Sequence, residues 1–514
     1  MPGQNILHLN KSVKIKPGND IIELYKGKLT ESKDKEEFEM TTPIQDFLLG
    51  HAAKNPVSFH MPGHKGSAIY RRFGYSEFLE HFMDCDVTEI AGADNLFQTE
   101  GIIKDAQDRY AALYGAKKSY LLINGTSGGI IAAILASVPK GKKIILARNC
   151  HKSVFNALTL ADARPVYAYP DVIEEYGISG AVSPEQIDEL LSSNPDAEAV
   201  ILPSPNYYGI CCDTERIAGI VHRYGKVLII DEAHGAHLTF FNKYGMDGMP
   251  KSAGNSGADI VIASIHKTLA SLTQSAILNL HSDRVDSLLL EDKLQCIEST
   301  SPSYILMSSL DINASIIEEH GRQIFTEWEE NLNYFYENAK KIEGLRIIDK
   351  IGGMDWTKLN FSLGDLGVTG GDLEEILIEK YGIFIELYTG DLVMCMTGIG
   401  TTKGHIEKLL AALSETAAEK TAGGTESKAG RKSQKLNLPK QAELFDIPKY
   451  KVRTPLEHAG GLICASSIIP YPPGIPLVCP GERLDAETVE YIIALRKLGE
   501  KVIGVTEKGE ILTG

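Results

Sequence analysis

A lysine and an aspartate each stand at the end of a short run of apolar and β-branched residues. Lys267 comes three residues after the run DIVIAS (259–264), and Asp231 closes the run KVLIID (226–231). A lysine whose surroundings keep its amine neutral can attack a carbonyl carbon and form a Schiff base. A carboxylate buried at a strand end needs a cation beside it, and a protonated pyridine nitrogen is one such cation.

Two further segments at strand ends carry groups that suit a phosphate and a flat ring. The sequence NGTSGG (124–129) follows an apolar run and leads into a helix pattern, so its amides and hydroxyls could bind a phosphate. It matches neither a P-loop nor the GxGxxG pattern of dinucleotide sites. His151 follows KIILA (143–147), where an imidazole could stack on an aromatic ring, and Ser264 and His266 lie just before the lysine.

Each of these residues also has a structural interpretation when it is considered alone. Asp231 could cap a helix, NGTSGG could be a tight turn, and most lysines are solvated surface charges. Asp231, His234 and His237 could instead bind a metal ion. Separate structural explanations would have to coincide four times, however, so the combination predicts a site for pyridoxal 5'-phosphate and no metal.

These residues require a scaffold that brings several strand ends together. Between about 115 and 280, seven short apolar runs alternate with amphipathic helix patterns such as SPEQIDELLSS (183–193). This alternation is typical of an α/β fold in which a mostly parallel sheet lies between helices. Ligands of such sheets bind beyond the carboxyl ends of the strands, which is where the candidate residues stand.

The remaining patterns divide the chain into further parts. We expect an N-terminal arm (1–40), a large cofactor-binding domain (41–310), a smaller α+β domain (311–413), a flexible linker (414–436) and a C-terminal domain (437–514). The linker prediction rests on a stretch of small and polar residues that has almost no large apolar side chain.

Composition argues against several classes of protein. The 514 residues carry 52 Lys plus Arg against 68 Asp plus Glu, and this net charge of −16 disfavours nucleic-acid and anionic membrane partners. No apolar run approaches the roughly 20 residues that a membrane helix needs. The start of the chain lacks a signal-peptide pattern, and the eight cysteines include no CxxC pair. We therefore expect a cytoplasmic protein.

Several segments together resemble one enzyme family. They are similar to the pyridoxal-phosphate-dependent ornithine/lysine/arginine decarboxylases, which have the fold-type-I architecture of the aspartate aminotransferase superfamily. The resemblance is to the short form, which lacks the N-terminal wing domain. The matching segments are FHMPGHKGS (59–67), DVTEIAGADNL (86–96), NGTSGG (124–129), RNCHKSV (148–154), DEAHGAH (231–237), SIHKTLASLTQSA (264–276), STSPSY (299–304) and PYPPGIPLVCPGE (470–482).

The resemblance implies a role for each candidate residue. Lys267 would form the Schiff base with the cofactor, Asp231 would pair with the pyridine nitrogen, and His151 would stack on the ring. His234 would lie near the phenolic oxygen of the ring. The residues implied for the phosphate and its surroundings are Thr126, Ser127, Gly128, Ser264 and His266.

The resemblance also implies how the substrate is bound and how the chain assembles. Glu482 would be the carboxylate that binds the distal cation of the substrate. Thr300 and Ser301, with the loops around His64 and Asp94, would complete the site, in part from a neighbouring subunit. The implied assembly is a homodimer or a larger homo-oligomer with shared active sites.

The implied reaction is the loss of CO2 from lysine, arginine or ornithine. The products would be cadaverine, agmatine or putrescine, which are polyamines or their precursors. The sequence does not rank the three substrates, since they differ in chain length and head group and the pocket dimensions are unknown. It also leaves the proton donor to Cα open between Lys267 and His151.

Two alternative functions share the same cofactor residues. A fold-type-I aminotransferase or other pyridoxal-phosphate lyase is one, although an aminotransferase would bind the α-carboxylate of its substrate with an arginine. The late arginines Arg453, Arg483 and Arg496 have no evident place in such a contact. The other alternative is a non-catalytic protein of the same fold, which would bind the cofactor without turning over an amino acid.

Overall fold

The computed structural model of the chain describes residues 42–246, 248–349, 352–422, 443–471, 475–497 and 501–514. The predicted N-terminal arm lies outside these residues. One helix, Pro43–Ala53, belongs to an N-terminal unit that ends at Asn55. The second unit extends from Pro56 to Gly514 and contains every element discussed below.

The strands of the second unit carry the labels β1 to β19 in chain order. They are β1 (Val57–Phe59), β2 (Lys118–Leu122), β3 (Lys143–Ala147), β4 (Arg164–Ala168), β5 (Val172–Ile173), β6 (Ile178–Ser179), β7 (Ala197–Pro203), β8 (Val227–Asp231), β9 (Ile260–Ala263), β10 (Ala276–Leu280), β11 (Arg346–Ile347), β12 (Lys358–Ser362), β13 (Ile383–Ile385), β14 (Leu387–Thr389), β15 (Leu392–Met396), β16 (Val452–Pro455), β17 (Ile469–Tyr471), β18 (Lys501–Ile503) and β19 (Glu510–Thr513).

The α-helices of this unit cover the sheets and connect the strands. They are Ala68–Arg72, Ser76–Glu80, Ile102–Tyr114, Gly125–Ser137, Lys152–Ala161, Pro184–Ser193, Thr214–Arg223, Leu238–Tyr244, Ile265–Thr268, Ser287–Ile297, Tyr304–Ala339, Gly370–Tyr381, Lys403–Ala422 and Ala486–Lys497. Among the described residues, none of the helices combines the length and the apolar character that a membrane crossing requires.

Seven strands form the central sheet, in the order β2-β10-β9-β8-β7-β3-β4. Neighbouring strands from β9 to β4 are parallel, whereas β10 runs antiparallel to both β2 and β9. The inner strands are buried along almost their whole length, as expected for a sheet that helices cover on both faces. The predicted mostly parallel α/β sheet is confirmed, because each of the seven apolar runs forms one of its strands.

The direction of the strands determines where the candidate residues lie. Because β2 and β9 are both antiparallel to β10, they point the same way as β3, β7 and β8. The carboxyl ends of these five strands therefore meet at one edge of the sheet. The helices between them begin at local capping residues; for example, Ser183 accepts a hydrogen bond from the amide of Gln186.

A helix of 36 residues, Tyr304–Ala339, leads from the central sheet to a second sheet. The second sheet has the antiparallel order β11-β12-β15-β14. The helix buries aromatic side chains such as Trp328 and Phe335 along its length. The predicted boundary between the large and the small domain, at residues 310 and 311, falls inside this helix. One continuous helix is therefore shared by the two predicted domains.

The predicted linker differs from the structure at its start. Residues 414–422 belong to the helix Lys403–Ala422, in which Thr416 and Ala417 are buried. The stretch is rich in alanine, which has a high helix propensity, and its small side chains pack closely against the neighbouring core. Residues 423–442 lie outside the described residues.

The C-terminal part of the chain has its own small core. Two antiparallel strand pairs, β16 with β19 and β17 with β18, accompany the helix Ala486–Lys497. Leu456, Ile492 and Ile511 are among the buried side chains of this core. The segment that precedes the helix reaches the end of β3, which brings the C-terminal part to the same edge of the central sheet.

Candidate functional site

Lys267 lies in the short helix Ile265–Thr268, which follows β9 directly. Its Nζ is 2.9 Å from Nε2 of His234, which follows β8. The same Nζ is 5.8 Å from the ring centre of Tyr207, which follows β7, and the rings of Tyr207 and His234 are 4.6 Å apart. The ends of three neighbouring strands thus surround one lysine amine.

Burial lowers the pKa of Lys267 from its ordinary value. The carboxylates of Asp231 and Glu386 oppose this shift, and the ammonium of Lys358 adds to it. A lowered pKa increases the fraction of neutral amine at a given pH, and the neutral amine is the nucleophile. The environment of Lys267 therefore suits Schiff-base formation.

Asp231 closes β8 and is only 5% exposed. The amide of Ala233 donates a hydrogen bond to its Oδ1 over 3.1 Å. Burial raises the pKa of Asp231, while Lys267 and this amide act in the opposite direction. A cation placed against the carboxylate would stabilise its ionised form, so this position can hold the positive end of a ligand.

The helix Gly125–Ser137 begins directly after β2 with the predicted phosphate segment. Its N-cap residue, Asn124, makes no side-chain hydrogen bond to the first turn, whose amides have no partner within the helix. The hydroxyls of Thr126 and Ser264 are 3.1 Å apart, so the segments after β2 and β9 meet here. The first turn and the two hydroxyls form a group of donors suited to an anion.

Gly128 and Glu298 border the same helix start. A Cβ on Gly128 would lie 3.0 Å from Oε1 of Glu298, so a side chain at position 128 would crowd that carboxylate. Glu298 accepts the amides of Ile123 and Asn124 over 3.1 and 3.0 Å, and burial raises its pKa to about 7. Sequence reasoning missed Glu298, although it stands directly before the STSPSY segment.

Two histidines at the site are held in their neutral form. His151 caps the helix Lys152–Ala161 by accepting the amide of Ser153, and burial together with the charge of Lys267 lowers its pKa to about 3. His266 lies 2.8 Å from the carbonyl of Ser275, so Nδ1 must donate, and burial lowers its pKa to about 4. Both rings are uncharged at neutral pH.

His237 contacts residues outside the group of possible metal ligands that the sequence offered as an alternative. Its Nε2 is 3.1 Å from Oδ2 of Asp355 and 3.2 Å from Oγ1 of Thr357. Within the described ranges, no cluster of three or more His, Cys, Asp or Glu side chains could hold a metal ion. The structure therefore does not bring Asp231, His234 and His237 together as ligands.

Glu482 lies in an ion pair within the chain. The guanidinium of Arg148 donates to both of its carboxylate oxygens, over 2.9 Å each, and the amide of Cys479 donates to Oε2 over 2.8 Å. Arg148 follows β3 directly and also donates to the carbonyls of Pro476 and Leu477. The carboxylate expected to bind the substrate is thus occupied by an arginine, and we infer that it holds the C-terminal part against β3.

The other residues implied to complete the site make contacts with neighbouring segments of the chain. Thr300 and Ser301 are exposed, and the amide of Ser301 donates to Ser299 Oγ over 3.1 Å. Asp94 accepts several backbone amides at the start of the helix Ile102–Tyr114; although burial opposes the shift, these hydrogen bonds lower its pKa.

The FHMPGHKGS segment packs against the backbone of the lysine helix. The amide of Gly63 donates to the carbonyl of His266 over 2.7 Å, and a Cβ on Gly63 would lie 2.3 Å from the carbonyl carbon of Thr268. Lys65 donates to the carbonyl of Met396 over 3.0 Å, and burial lowers its pKa to about 7. The absent side chain at Gly63 explains why this segment can approach so closely.

Two family models match the chain. The model described as Orn/Lys/Arg decarboxylase, major domain, matches residues 42–352. The model described as Orn/Lys/Arg decarboxylase, C-terminal domain, matches residues 429–509.

Relatives and a solved structure agree with these matches. A protein named Arginine decarboxylase from Bacillus subtilis (strain 168) is 34% identical over 90% of this chain and 95% of its own length. The Lysine decarboxylase LdcA of Pseudomonas aeruginosa is 25% identical over 87% of this chain and 74% of its own length. The structure of the E. coli constitutive lysine decarboxylase has a TM-score of 0.69 at 19% identity, covering 92% of this chain and 82% of that one. At that identity, the structural similarity establishes the fold.

Replacing Glu482 by Gln should destabilise the protein by about 3–5 kcal/mol, because it leaves the buried charge of Arg148 without its anion. The free energy of unfolding in denaturant measures this. Arg483→Gln is the matched control, since it breaks the adjacent exposed ion pair with Glu443 and should change stability by less than about 1 kcal/mol. Unchanged stability of Glu482→Gln with a raised KM for a basic amino acid would instead support the substrate role.

Proposed function

Because the chain belongs to the Orn/Lys/Arg decarboxylase family, we propose that it is a pyridoxal-phosphate-dependent decarboxylase of a basic amino acid, with arginine as its preferred substrate. The observation that carries the proposal is a lysine amine of lowered pKa beside a buried carboxylate, at the carboxyl edge of a fold-type-I sheet. Arginine is placed first because the Bacillus subtilis relative named for arginine is 34% identical, whereas the relative named for lysine from Pseudomonas aeruginosa is 25% identical.

The residues at the strand ends fit pyridoxal phosphate. The first turn of the helix Gly125–Ser137 and the hydroxyls of Thr126 and Ser264 would bind the phosphate. Asp231 would bind the protonated pyridine nitrogen, which is the cation that its buried carboxylate requires. When bound, the cofactor supplies an electron sink for the bond that breaks between Cα and the carboxylate.

The protein side chains would hold and move the protons. Nε2 of His234, 2.9 Å from Lys267 Nζ, is placed to exchange a proton with the amine or to orient it. His151 has a pKa of about 3 and carries no extra proton at neutral pH, so its neutral ring suits stacking better than proton donation. We therefore propose Lys267 as the donor that returns a proton to Cα.

The late arginines do not favour an aminotransferase. Arg483 pairs with the exposed Glu443, and Arg496 donates to the carbonyls of Thr506 and Glu507. Arg453 lies in β16 of the C-terminal part. Arg148, at the end of β3, donates four hydrogen bonds to Glu482 and two carbonyls. Arg148, Arg483 and Arg496 already have hydrogen-bond or ion-pair partners, and Arg453 lies in β16. None of these arginines therefore supports a clamp for the α-carboxylate of a substrate.

We also propose that two copies of the chain share their sites. Met83 and Ile90 are apolar yet 78% and 56% exposed, in a segment that the implied dimer would cover. Val87 and Ile90 border a surface depression together with Ser301, one of the residues implied to complete a neighbouring site. A second copy would bury these apolar side chains and bring the Ser301 segment to a site.

The substrate proposal predicts that the cofactor-loaded protein releases CO2 and agmatine from arginine. We expect a kcat/KM for arginine at least about tenfold above those for lysine and ornithine, because a guanidinium differs from an ammonium in shape and donor number. Amine products of the three amino acids, separated by chromatography, measure this. Oxo-acid formation without CO2 would contradict the proposal and support the aminotransferase.

Lys267→Ala should abolish turnover, because the variant lacks the buried amine of lowered pKa that would form the Schiff base. Borohydride should fix labelled cofactor to the unchanged protein and not to this variant, as mass spectrometry of the peptides would show. Lys118→Ala is a suitable control, since that lysine is exposed at the opposite end of β2. Borohydride labelling at a different lysine would overturn the assignment.

The shared-site proposal predicts a mass near twice the 56.1 kDa of one chain in light scattering. Ile90→Lys should lower both the mass and the activity, because a charge would be buried in the interface. Leu160→Lys, which also changes an exposed apolar side chain, should leave both unchanged. A fully active single chain would refute the shared site.

A further inference from the structure

A buried cluster of charged side chains lies next to His234. His237, Asp355 and Lys358 belong to it, and each is 0% exposed. Lys358 is the first residue of β12, in the second sheet, whereas the two histidines follow β8 of the central sheet. The cluster therefore connects the two sheets next to His234.

Each N–H of the Lys358 ammonium is directed to an oxygen. The acceptors are the backbone carbonyl of His234 at 3.1 Å, Oδ2 of Asp355 at 3.1 Å and Oγ1 of Thr357 at 3.3 Å. An ammonium has three donors, so this environment satisfies all of them. The position of Lys358 Nζ is consequently well determined.

Asp355 holds the cluster together. Its Oδ2 lies 3.1 Å from both Lys358 Nζ and His237 Nε2, and its Oδ1 accepts the amide and the hydroxyl of Thr357. Burial would raise the pKa of Asp355, but His237 and Lys358 lower it far below its ordinary value. The carboxylate thus stays ionised and holds both the Lys358 ammonium and the His237 imidazole in place.

His234 connects this cluster to the lysine amine. Its carbonyl accepts from Lys358, and its Nε2 lies 2.9 Å from Lys267 Nζ. Burying charges in this way is unfavourable relative to packing apolar side chains of similar volume, so stability alone gives little reason for the arrangement. The buried charges instead supply a directional hydrogen bond, from Lys358 to the carbonyl of His234, which determines the position of His234.

We propose that Lys358 is a positioning residue of the site: held by Asp355, it fixes the backbone of His234 and thereby the imidazole against Lys267. The inference rests on the proposed function, since it concerns the same lysine. Lys358 would act through His234 and would not touch the substrate. Its position in β12 would also make the geometry of the site depend on the second sheet.

The charge of Lys358 has a second consequence. Charged and titratable groups surround Lys267; they are Asp231, His234, His151, His266, Tyr207 and Glu386, together with Lys358. Among these, Lys358 acts as a like charge that disfavours protonation of the Lys267 nitrogen. Removal of this ammonium should therefore raise the pH at which that nitrogen loses its proton.

The test compares Lys358→Met with Asp259→Asn in the cofactor-loaded protein. Asp259 is a matched control because it is also a buried charge, 0% exposed, but lies at the opposite end of β9 from Lys267. It accepts from His222 Nε2 over 3.0 Å and from the amide of Leu228 over 2.8 Å. Both variants should lower the thermal midpoint of unfolding. Differences between them in kcat and in the absorbance titration therefore report on the site and not on stability.

For Lys358→Met we expect kcat to fall about ten- to a hundredfold while KM changes by less than about threefold. The absorbance of the bound cofactor should titrate at a pH higher by at least about half a unit, since a cation has been removed. Asp259→Asn should keep the kcat and the titration of the unchanged protein. If both variants lower only the thermal midpoint, Lys358 has a purely structural role and the inference is wrong.

Thr357→Val provides a milder variant in case Lys358→Met does not fold. It keeps the shape of the side chain and both buried charges but removes the hydroxyl that contacts His237 and Lys358. Because the Lys358 ammonium stays in place, this variant should leave the absorbance titration unshifted and lower kcat by a smaller factor, about two- to tenfold, through looser positioning of His234; an unchanged kcat would count against the inference. The titration needs no substrate, so a protein that binds the cofactor but releases no CO2 would refute the proposed function alone.

Discussion

A lysine amine withdrawn from water and surrounded by charged groups is the constraint on which the site depends. In solution such an amine is protonated and hydrated; at the sheet edge burial lowers its pKa, and Asp231, Glu386 and Lys358 determine by how much. The contact of 2.9 Å with His234 orients the amine as well. An environment of this kind persists only if the surrounding backbone is rigid, because a small displacement would admit water.

The fold meets this constraint with contacts from several directions. Parallel strands bring Asp231, His234 and Lys267 to one edge, and the antiparallel β10 lets β2 present its helix start at the same edge. The Gly63 segment packs on the lysine helix at a distance that no side chain would allow. The second sheet supplies Lys358, which donates to the carbonyl of His234. Each contact restricts a different part of the site, which explains why segments far apart in the chain are needed.

The C-terminal part is integrated into this scaffold through one buried ion pair. Arg148 occupies the position directly after β3, three residues before His151, and four of its five N–H donors serve Glu482 and two carbonyls of the C-terminal part. A buried pair of this kind adds little stability compared with apolar packing, but it strongly disfavours any other arrangement of its partners. The pair therefore determines how the C-terminal part meets the end of β3.

The sequence by itself determined the features that depend on neighbouring residues. Apolar runs predicted the seven strands of the central sheet, and the order of Lys267, Asp231 and NGTSGG after those runs predicted which residues share its edge. It could not assign the partner of Glu482, which lies 334 positions away at Arg148, and it gave no sign that Lys358 is buried. It also placed a linker where Thr416 and Ala417 continue a helix. Only the tertiary structure determined these features, because the partner of a buried charge depends on which distant segments of the chain pack together. A local sequence pattern contains no information about that packing.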